Sequence, residues 1–162
     1  MINSKLLYFF LIFLMTKNSI AMNVMCKFEE VYHNGETQNG ILLIKNDKLR
    51  YEYLDKSLYT IIYDKYSLVA ILNRDRNNRQ NLQKEKDLFD GLNKTFNSYP
   101  DIPRTIKHKD ILITYERSQL YEFFKRVYIK SPKLNLSIYL NECQFKILEN
   151  SYFRYYPFKE LI

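Results

Sequence analysis

Residues Gly40–Tyr53 read GILLIKNDKLRYEY and predict two β-strands joined by a tight turn. In the second strand apolar and aromatic side chains alternate with charged ones, and a side-chain period of two sends the two sets to opposite faces of a sheet. One face carries Leu49, Tyr51 and Tyr53, and the other carries Lys48, Arg50 and Glu52. The runs Leu58–Tyr63 and Ser67–Leu72 repeat the theme. The middle of the chain is therefore predicted to be an antiparallel meander with one apolar face.

The first 21 residues predict a signal peptide that is removed on export. Lys5 gives a basic start, Leu6–Met15 is an uncharged run, and the tripeptide that ends at Ala21 offers a small-x-small cleavage site. A membrane span needs about 20 apolar residues, so this run is too short for a permanent anchor, although an uncleaved interfacial anchor is the alternative. We therefore expect an exported protein with a single domain over residues 22–162.

The two cysteines, Cys26 and Cys143, both lie in the predicted mature chain. In an oxidising compartment they would either form one disulfide between an early and a late strand or remain two buried thiols. Lipid modification of Cys26 is not expected, because the preceding Met25 is too large for the lipoprotein signal peptidase. We expect no metal site, since the chain has no Cys-x-x-Cys or His-x-x-x-His spacing.

The composition is typical of a folded domain. Three Gly, four Pro and 46% hydrophobic residues argue against a disordered chain. The formal net charge of the 162 residues is +7, and it falls to +5 without Lys5 and Lys17. This charge and 16% aromatic residues would suit nucleic-acid binding. Export and the alternation of the rings into a core pattern argue against that class, whereas a basic surface suits anionic lipid headgroups.

Two groups of strands flank one predicted helix. The first strands are Cys26–Tyr32, Thr37–Lys45, Lys48–Tyr53, Leu58–Tyr63 and Ser67–Leu72, with an Asn34-Gly35 hairpin turn after the first. Arg74–Asn81 is polar and has no strand pattern. The later strands lie near Ile111–Glu116, Phe123–Lys130, Leu134–Asn141, Cys143–Leu148 and Ser151–Tyr155. The segment Arg117–Phe124 fits either a strand or a short helix, and the total is nine or ten strands.

The helix is predicted between these groups, where apolar residues repeat at helical intervals. They are Leu82, Leu88, Phe89, Leu92 and Phe96, and Ser98-Tyr99-Pro100 ends the pattern. Many hairpin-linked strands with one central helix predict a mainly β fold, in which a single curved antiparallel sheet, an incomplete β-barrel, holds the helix as a plug or lid. A curved sheet leaves an apolar gap beside such a helix, and such a gap suits acyl chains.

Three parts of this chain resemble one known family. The run from Gly40 to Tyr53 is similar to the signature Gly-x-aromatic-x-x-basic-Pro-Gly-x-Phe-Arg-Trp-Glu-Tyr. Thr60–Leu68 is similar to the strand pair that follows it, and Asn150–Pro157 is similar to a closing element that ends Phe-x-Phe-x-x-Pro. The family is that of the outer-membrane lipoprotein carriers, the LolA-type periplasmic chaperones. The likeness covers residues 28–72 well and residues 125–157 more loosely.

The resemblance implies a half-barrel whose concave face, lidded by helices, shelters lipoprotein acyl chains in transit. It also implies two partners, an inner-membrane ATP-driven transporter that releases lipoproteins and an outer-membrane acceptor. By position, Lys45 matches the lid latch of the family, and Leu49 and Tyr51 match its cavity residues. The strand and helix patterns extend the cavity to Tyr53, Ile61 and Tyr63 and give the lid residues Leu88, Phe89, Leu92 and Phe96. The chain departs from the family by Lys45-Asn46 in place of Arg-Pro and by Tyr51 in place of Trp. It also has no room for a helix between residue 21 and the first strand.

Two other functions are weighed against a carrier. A secreted β-sheet interaction module with a closed core would bind no lipid, whereas a carrier keeps an accessible apolar cavity. An enzyme is not expected: the two histidines, His33 and His108, lie in a turn and in a charged run, and the chain has no Gly-x-Ser-x-Gly elbow. We expect a monomer without cofactor and without a nucleic-acid partner.

Overall fold

The computed structural model describes residues 22–156 together with Lys159 and Leu161. The predicted signal peptide therefore lies outside the described residues. Among the residues described, no helix is long and apolar enough to cross a membrane.

Strands β1 to β6 precede the helix, and β7 to β10 follow it. They are β1 (Asn23–Tyr32), β2 (Thr37–Lys45), β3 (Lys48–Tyr53), β4 (Tyr59–Asp64), β5 (Ser67–Leu72), β6 (Asp75–Asn81), β7 (Thr105–His108), β8 (Ile111–Arg117), β9 (Phe124–Lys130) and β10 (Asn135–Phe145). Helix α1 (Lys86–Asn97) directly follows a 3₁₀ turn at Gln83–Glu85, and a second 3₁₀ turn spans Asn150–Phe153.

All ten strands belong to one antiparallel sheet in the order β6-β5-β4-β3-β2-β1-β10-β9-β8-β7. Each strand pairs with its neighbour in the chain on either side of the helix, and β1 pairs with β10 at the centre. Strands β6 and β7 are the two edges, so the sheet is open rather than a closed barrel. This confirms the predicted mainly β fold. Below, the face that packs against α1 is the inner face, and the opposite face is the outer face.

A disulfide joins the two central strands. Cys26 of β1 is bonded to Cys143 of β10, with Cα atoms 4.1 Å apart. The pairing register shifts on either side of Cys26, and Glu142 has a left-handed φ of 49°. A β-bulge of this kind bends β10 locally while the strand remains paired. Of the two states that the sequence left open for these cysteines, the structure has the bond.

Three segments differ from the sequence expectation. The polar Asp75–Asn81 forms strand β6, because an edge strand needs only one hydrogen-bonded neighbour and its side chains stay in water. Ser151–Tyr155 is not a strand, since a 3₁₀ turn occupies Asn150–Phe153. Cys143–Leu148 is not a separate strand, because β10 continues through its bulge to Phe145. Arg117–Phe124, which the sequence left ambiguous, contains no helix.

Candidate functional site

The five predicted cavity residues lie together on the inner face, on strands β3 and β4. The register pairs Leu49 with Tyr63 and Tyr51 with Ile61, and Tyr53 lies two residues further along β3. Leu49, Tyr51 and Tyr63 are buried, whereas Tyr53 and Ile61 are partly buried. The alternation predicted their common face correctly. Their contact with a ligand stays a prediction.

Gly40 of β2 shapes the aromatic part of the inner face. A Cβ at this position would lie 2.2 Å from the Phe28 ring and 2.2 Å from the Glu52 carbonyl oxygen, so a side chain here would displace the ring. Without one, Phe28 stacks on Tyr51 with ring centroids 4.0 Å apart and meets Tyr53 edge-on at 5.6 Å. The signature glycine thus permits a cluster of three rings beside the cavity described next.

Helix α1 covers the inner face with its apolar stripe. Phe89, Leu92 and Phe96 are buried, and Leu88 is partly buried. At the C-terminal end, Phe96 packs against Phe123 and Phe124 with ring centroids 6.1 and 5.7 Å away. The aromatic packing therefore holds this end of the helix firmly.

A cavity of about 130 Å³ lies between the N-terminal half of α1 and the inner face. Its lining comprises Leu88, Phe89 and Leu92 of the helix, Ile61, Ile129, Leu134, Leu136 and Ile138 of the sheet and its loops, and Glu30 with Tyr32, Tyr51 and Tyr53. Protein cores hold few voids larger than a water molecule. This one is open at its edge, where Leu88, Tyr53 and Ile61 are only partly buried. The contact between helix and sheet is therefore looser than ordinary core packing.

Two open pockets adjoin this cavity. A pocket of about 410 Å³ shares Tyr32, Tyr53 and Ile61 with it. A pocket of about 540 Å³ on the side of α1 that faces the β7–β8 turn shares Leu88 and Leu134 with it. The inner cavity therefore adjoins solvent-accessible space at two places.

Glu30 is a buried carboxylate in the cavity wall, only 3% exposed. Its Oε1 accepts a hydrogen bond from Tyr51 Oη at 2.8 Å, and its Oε2 accepts hydrogen bonds from Tyr32 Oη at 2.6 Å and Tyr53 Oη at 3.0 Å. Burial, with a further contribution from the Glu30 charge, raises the pKa of Tyr51 and of Tyr53 well above the usual value. The same causes raise the pKa of Tyr32 to about 12, so all three hydroxyls stay protonated and act as donors.

Sequence reasoning missed Glu30, although a signal was present. The side chains of β1 that face inward are Val24, Cys26, Phe28 and then Glu30. A charged residue at a core-facing position of a strand is unusual unless it has partners. Tyr32 was missed as well, because it lies next to the predicted hairpin turn.

Polar contacts fasten α1 to the sheet along its rim. Tyr63 Oη donates a hydrogen bond to Asp90 Oδ1 at 2.7 Å, and within the helix Lys86 Nζ lies 2.7 Å from the same oxygen. Asp87 forms an ion pair of 2.6 Å with Lys109 of the β7–β8 turn. Burial alone would raise the pKa of Asp90, but the hydrogen bonds from Lys86 and Tyr63 outweigh it and lower that pKa. These contacts were not predicted, because they join charged positions that look like an ordinary solvated helix face.

Lys45, the predicted latch of the lid, lies away from the helix. Leu43 and Lys45 of β2 share the outer face, and Lys45 Nζ donates a hydrogen bond of 2.5 Å to the carbonyl of Leu148. The contact therefore holds the C-terminal segment and does not support a latch on α1. The neighbouring turn does contact the helix, since Asn97 Nδ2 donates to the Asn46 carbonyl at 2.6 Å.

One group of metal-ligating side chains occurs in the described part of the chain. Ligand atoms of Asp87, Asp90 and His108 lie within 4.8 Å of one another. Both carboxylates already have lysine partners, Lys109 and Lys86, so a cation would have to displace two ammonium groups. The group serves the attachment of α1, and His33 lies apart from it in the exposed turn after β1.

The fold and the cavity define a protein with an open antiparallel sheet and a helix that covers a largely apolar space. Among solved structures, the chain is similar to a LolA superfamily protein from Nitrosomonas europaea. The TM-score is 0.44 and the identity 10%, over 85% of this chain and 91% of the other. No protein-family model and no curated protein matches the chain.

Proposed function

We propose that this protein is a periplasmic chaperone that shelters the acyl chains of a lipoprotein between α1 and the inner face and carries them from the inner to the outer membrane. The observation that carries the proposal is the cavity of about 130 Å³ beneath α1. Acyl chains need apolar area rather than hydrogen bonds, and Leu88, Leu92 and Ile129 offer such area. Each buried methylene contributes about 0.8 kcal/mol, so every methylene of an acyl chain that enters this space favours binding by about that amount.

Loading of a whole chain requires movement of α1. The cavity holds roughly four groups the size of a water molecule, which is less than an acyl chain occupies. If the N-terminal half of α1 lifts away from the sheet, the cavity joins the adjacent pockets of about 410 and 540 Å³. The packing of Phe96 against Phe123 and Phe124 provides the fixed end for that movement.

The contacts that fasten the helix are of a strength that permits two states. The Asp87–Lys109 ion pair near the surface contributes about 0–1 kcal/mol, whereas the Lys86–Asp90 pair lies within α1 and is not broken when the helix lifts. The hydrogen bond from Tyr63 to Asp90 adds about 1 kcal/mol. Open and closed forms would then differ by a few kcal/mol, which the binding of cargo or of a partner can overcome.

The periplasm and the two membrane partners belong to the same proposal. The Cys26–Cys143 disulfide is typical of an oxidising compartment such as the periplasm. The leader-like residues 1–21 agree with export. We expect the carrier, a monomer, to receive its cargo from an ATP-driven transporter of the inner membrane and to deliver it to an acceptor at the outer membrane.

The decisive experiment compares two leucine-to-glutamate variants. The full chain with its leader is expressed in bacteria, recovered from the periplasm and analysed by native mass spectrometry and by titration with a fluorescent acyl probe. Leu88→Glu places a charge at the cavity wall, so we expect probe affinity to fall at least about 10-fold, since a buried unpaired carboxylate is costly. Leu120→Glu, at a side chain that is 93% exposed, is the matched control and should bind as the wild type does.

A contrary result would favour a different class of protein. If the wild-type chain carries no lipid and ignores the probe, the cavity is closed in solution and the secreted interaction module is the better description. If Leu88→Glu and Leu120→Glu bind equally, the probe occupies another surface. Thermal unfolding of both variants checks that each one folds.

A further inference from the structure

We propose that Glu30 and its tyrosines bind a primary ammonium group of the ligand, so that the cargo is an amphiphile with a cationic head and no phosphate beside it. This inference rests on the proposed function, since the apolar part of the ligand would occupy the cavity under α1. An apolar cavity alone would not select for a cationic head group.

The first argument is that Glu30 lacks a counter-charge. Its side chain is 3% exposed, and none of the ion pairs among the described residues includes it. A buried carboxylate is costly unless it is paired, and three tyrosine hydroxyls supply hydrogen bonds but no positive charge. The cavity wall thus contains a negative site that a cationic ligand would complete.

The second argument concerns which hydrogen-bonding groups still have capacity. A carboxylate offers about four lone-pair positions, and Glu30 uses three, one of them on Oε1. Tyr32, Tyr51 and Tyr53 each donate their single hydroxyl proton to Glu30, so their oxygens have only acceptor capacity left. A ligand group here must therefore be a donor. A primary ammonium brings three donors and a positive charge, whereas a carboxylate or phosphate would find no donor.

The third argument is the position of the cluster. Tyr32 and Tyr53 line both the inner cavity and the adjacent pocket of about 410 Å³, so the cluster lies where the two meet. A head group held there leaves the apolar chain free to extend under α1. The lining of the adjacent pocket of about 410 Å³ includes Glu36 and contains no Lys or Arg, which disfavours a phosphate next to the ammonium. A lipid-modified peptide with a free amino terminus meets these conditions, and a phosphoethanolamine lipid does not.

The test uses the full chain and three probes with the same 12-carbon tail, below their micelle concentrations. Dodecylammonium, dodecanol and dodecanoate are titrated by calorimetry at neutral pH. We expect dodecylammonium to bind on the order of 10-fold more tightly than dodecanol, because a charge-assisted hydrogen bond is about twice as strong as a neutral one. The net positive charge, +7 for the 162 residues and +5 without Lys5 and Lys17, would give the opposite preference through general attraction at the surface, namely for dodecanoate.

Two variants assign the preference to Glu30. Glu30→Gln keeps the shape of the side chain and removes its charge, so the preference for ammonium over dodecanol should disappear while dodecanol still binds. Glu29→Gln changes the neighbouring residue, whose side chain faces the other side of β1, and should keep the preference. If Glu30→Gln does not fold, Tyr53→Phe removes one of the hydroxyls and should reduce the preference by several-fold.

A last pair of ligands separates the sources of the ammonium. A diacylated cysteinyl peptide with a free amino terminus should bind more tightly than its N-acetylated form and more tightly than a lysophosphatidylethanolamine. The inference is overturned if wild-type protein binds dodecanol or dodecanoate as tightly as dodecylammonium, or if the preference survives in Glu30→Gln. Binding of all three probes without preference would leave the carrier function standing, whereas no binding of any probe would contradict both proposals.

Discussion

The two faces of the sheet are covered in different ways. On the outer face, Leu148 and Phe153 of the C-terminal segment pack on Leu43, and all three are nearly inaccessible to solvent. Arg50 Nη1 and Lys45 Nζ donate hydrogen bonds to main-chain carbonyls of that segment. On the inner face, α1 lies over a cavity of about 130 Å³ and is fastened by side-chain contacts at its rim.

The difference lies in what each cover would expose if it moved. Beneath the C-terminal segment, Arg50 is 0% exposed and forms an ion pair with Glu52, in which Arg50 Nη2 and Glu52 Oε2 lie 2.6 Å apart. Removing the segment would expose this pair. Lifting the N-terminal half of α1 would break the Asp87–Lys109 ion pair, which already lies near water, and would enlarge a void that already exists. We infer that the outer cover is structural and the inner cover is the movable one.

The largest expected effect comes from the outer face. Arg50→Ala leaves Glu52 as a buried charge without its partner and removes the hydrogen bond to Tyr152. We expect the free energy of unfolding to fall by about 3–5 kcal/mol, as when one partner of a buried ion pair is deleted. Urea denaturation of the full chain measures it.

An ion pair at the surface supplies the control for this variant. Lys27 and Glu142 form an exposed ion pair on the two central strands, so Lys27→Ala should change the free energy of unfolding by less than about 1 kcal/mol. Equal losses in the free energy of unfolding for Arg50→Ala and Lys27→Ala would show that burial beneath the C-terminal segment does not make the Arg50–Glu52 pair more important for stability than an exposed pair.

The next effect compares the same substitution on both faces. Leu43→Phe adds atoms to the closely packed outer patch, so we expect a loss of about 1–3 kcal/mol in the free energy of unfolding. Leu92→Phe directs the added atoms toward the cavity, so its stability should change less while the affinity for an acyl probe falls. A similar loss of stability in both variants would contradict the difference in packing between the two covers.

Much of the fold was predictable from local pattern. Strands β2, β3 and β5 have the predicted bounds, because their apolar alternation and their turns agree with each other. Asn46, for example, takes a left-handed φ of 50° in the β2–β3 turn, where Asn is tolerated. Strand β6 was missed because its pairing with β5 depends on backbone hydrogen bonds that leave no trace in an all-polar segment.

The candidate site was predictable only in its apolar part. A period of two placed Tyr51 and Tyr63 on one face, but it does not reveal which polar groups meet across the sheet. The pairing of Tyr51 with Glu30 joins β3 to β1, and that of Tyr63 with Asp90 joins β4 to α1. Both depend on distances between elements that are remote in sequence. The latch role of Lys45 was carried over from the family position without regard to the strand face, and its one described side-chain hydrogen bond goes to Leu148 rather than to α1.

A smaller effect is expected where the rim of the helix is loosened. Tyr63→Phe removes the hydrogen bond to Asp90 and keeps the ring against Phe89, so the closed state should lose about 1 kcal/mol. Hydrogen exchange of α1 amides should become faster, while exchange in β2 stays unchanged. Tyr59→Phe is the matched control, since the Tyr59 hydroxyl only accepts a bond from the exposed Gln80. Unchanged exchange of α1 in Tyr63→Phe would argue against Asp90 as its fastening point.

The smallest effect is a pH dependence of the same contact. The pKa of Asp90 lies below its ordinary value of 3.8 in the folded chain: burial acts to raise it, but the hydrogen bonds from Lys86 and Tyr63 prevail. A lowered folded-state pKa means that the carboxylate stabilises the fold fully above the unfolded value and that this stabilisation is lost as pH falls through the folded value. Asp90→Asn should therefore be less stable than wild type at pH 6, by under about 1 kcal/mol because the group is partly exposed. Urea denaturation of both chains should show this difference shrinking as the pH is lowered below about 3.8. A difference that stays constant over that range would assign the contact to geometry rather than to the charge of Asp90, and the helix would then be fastened independently of protonation.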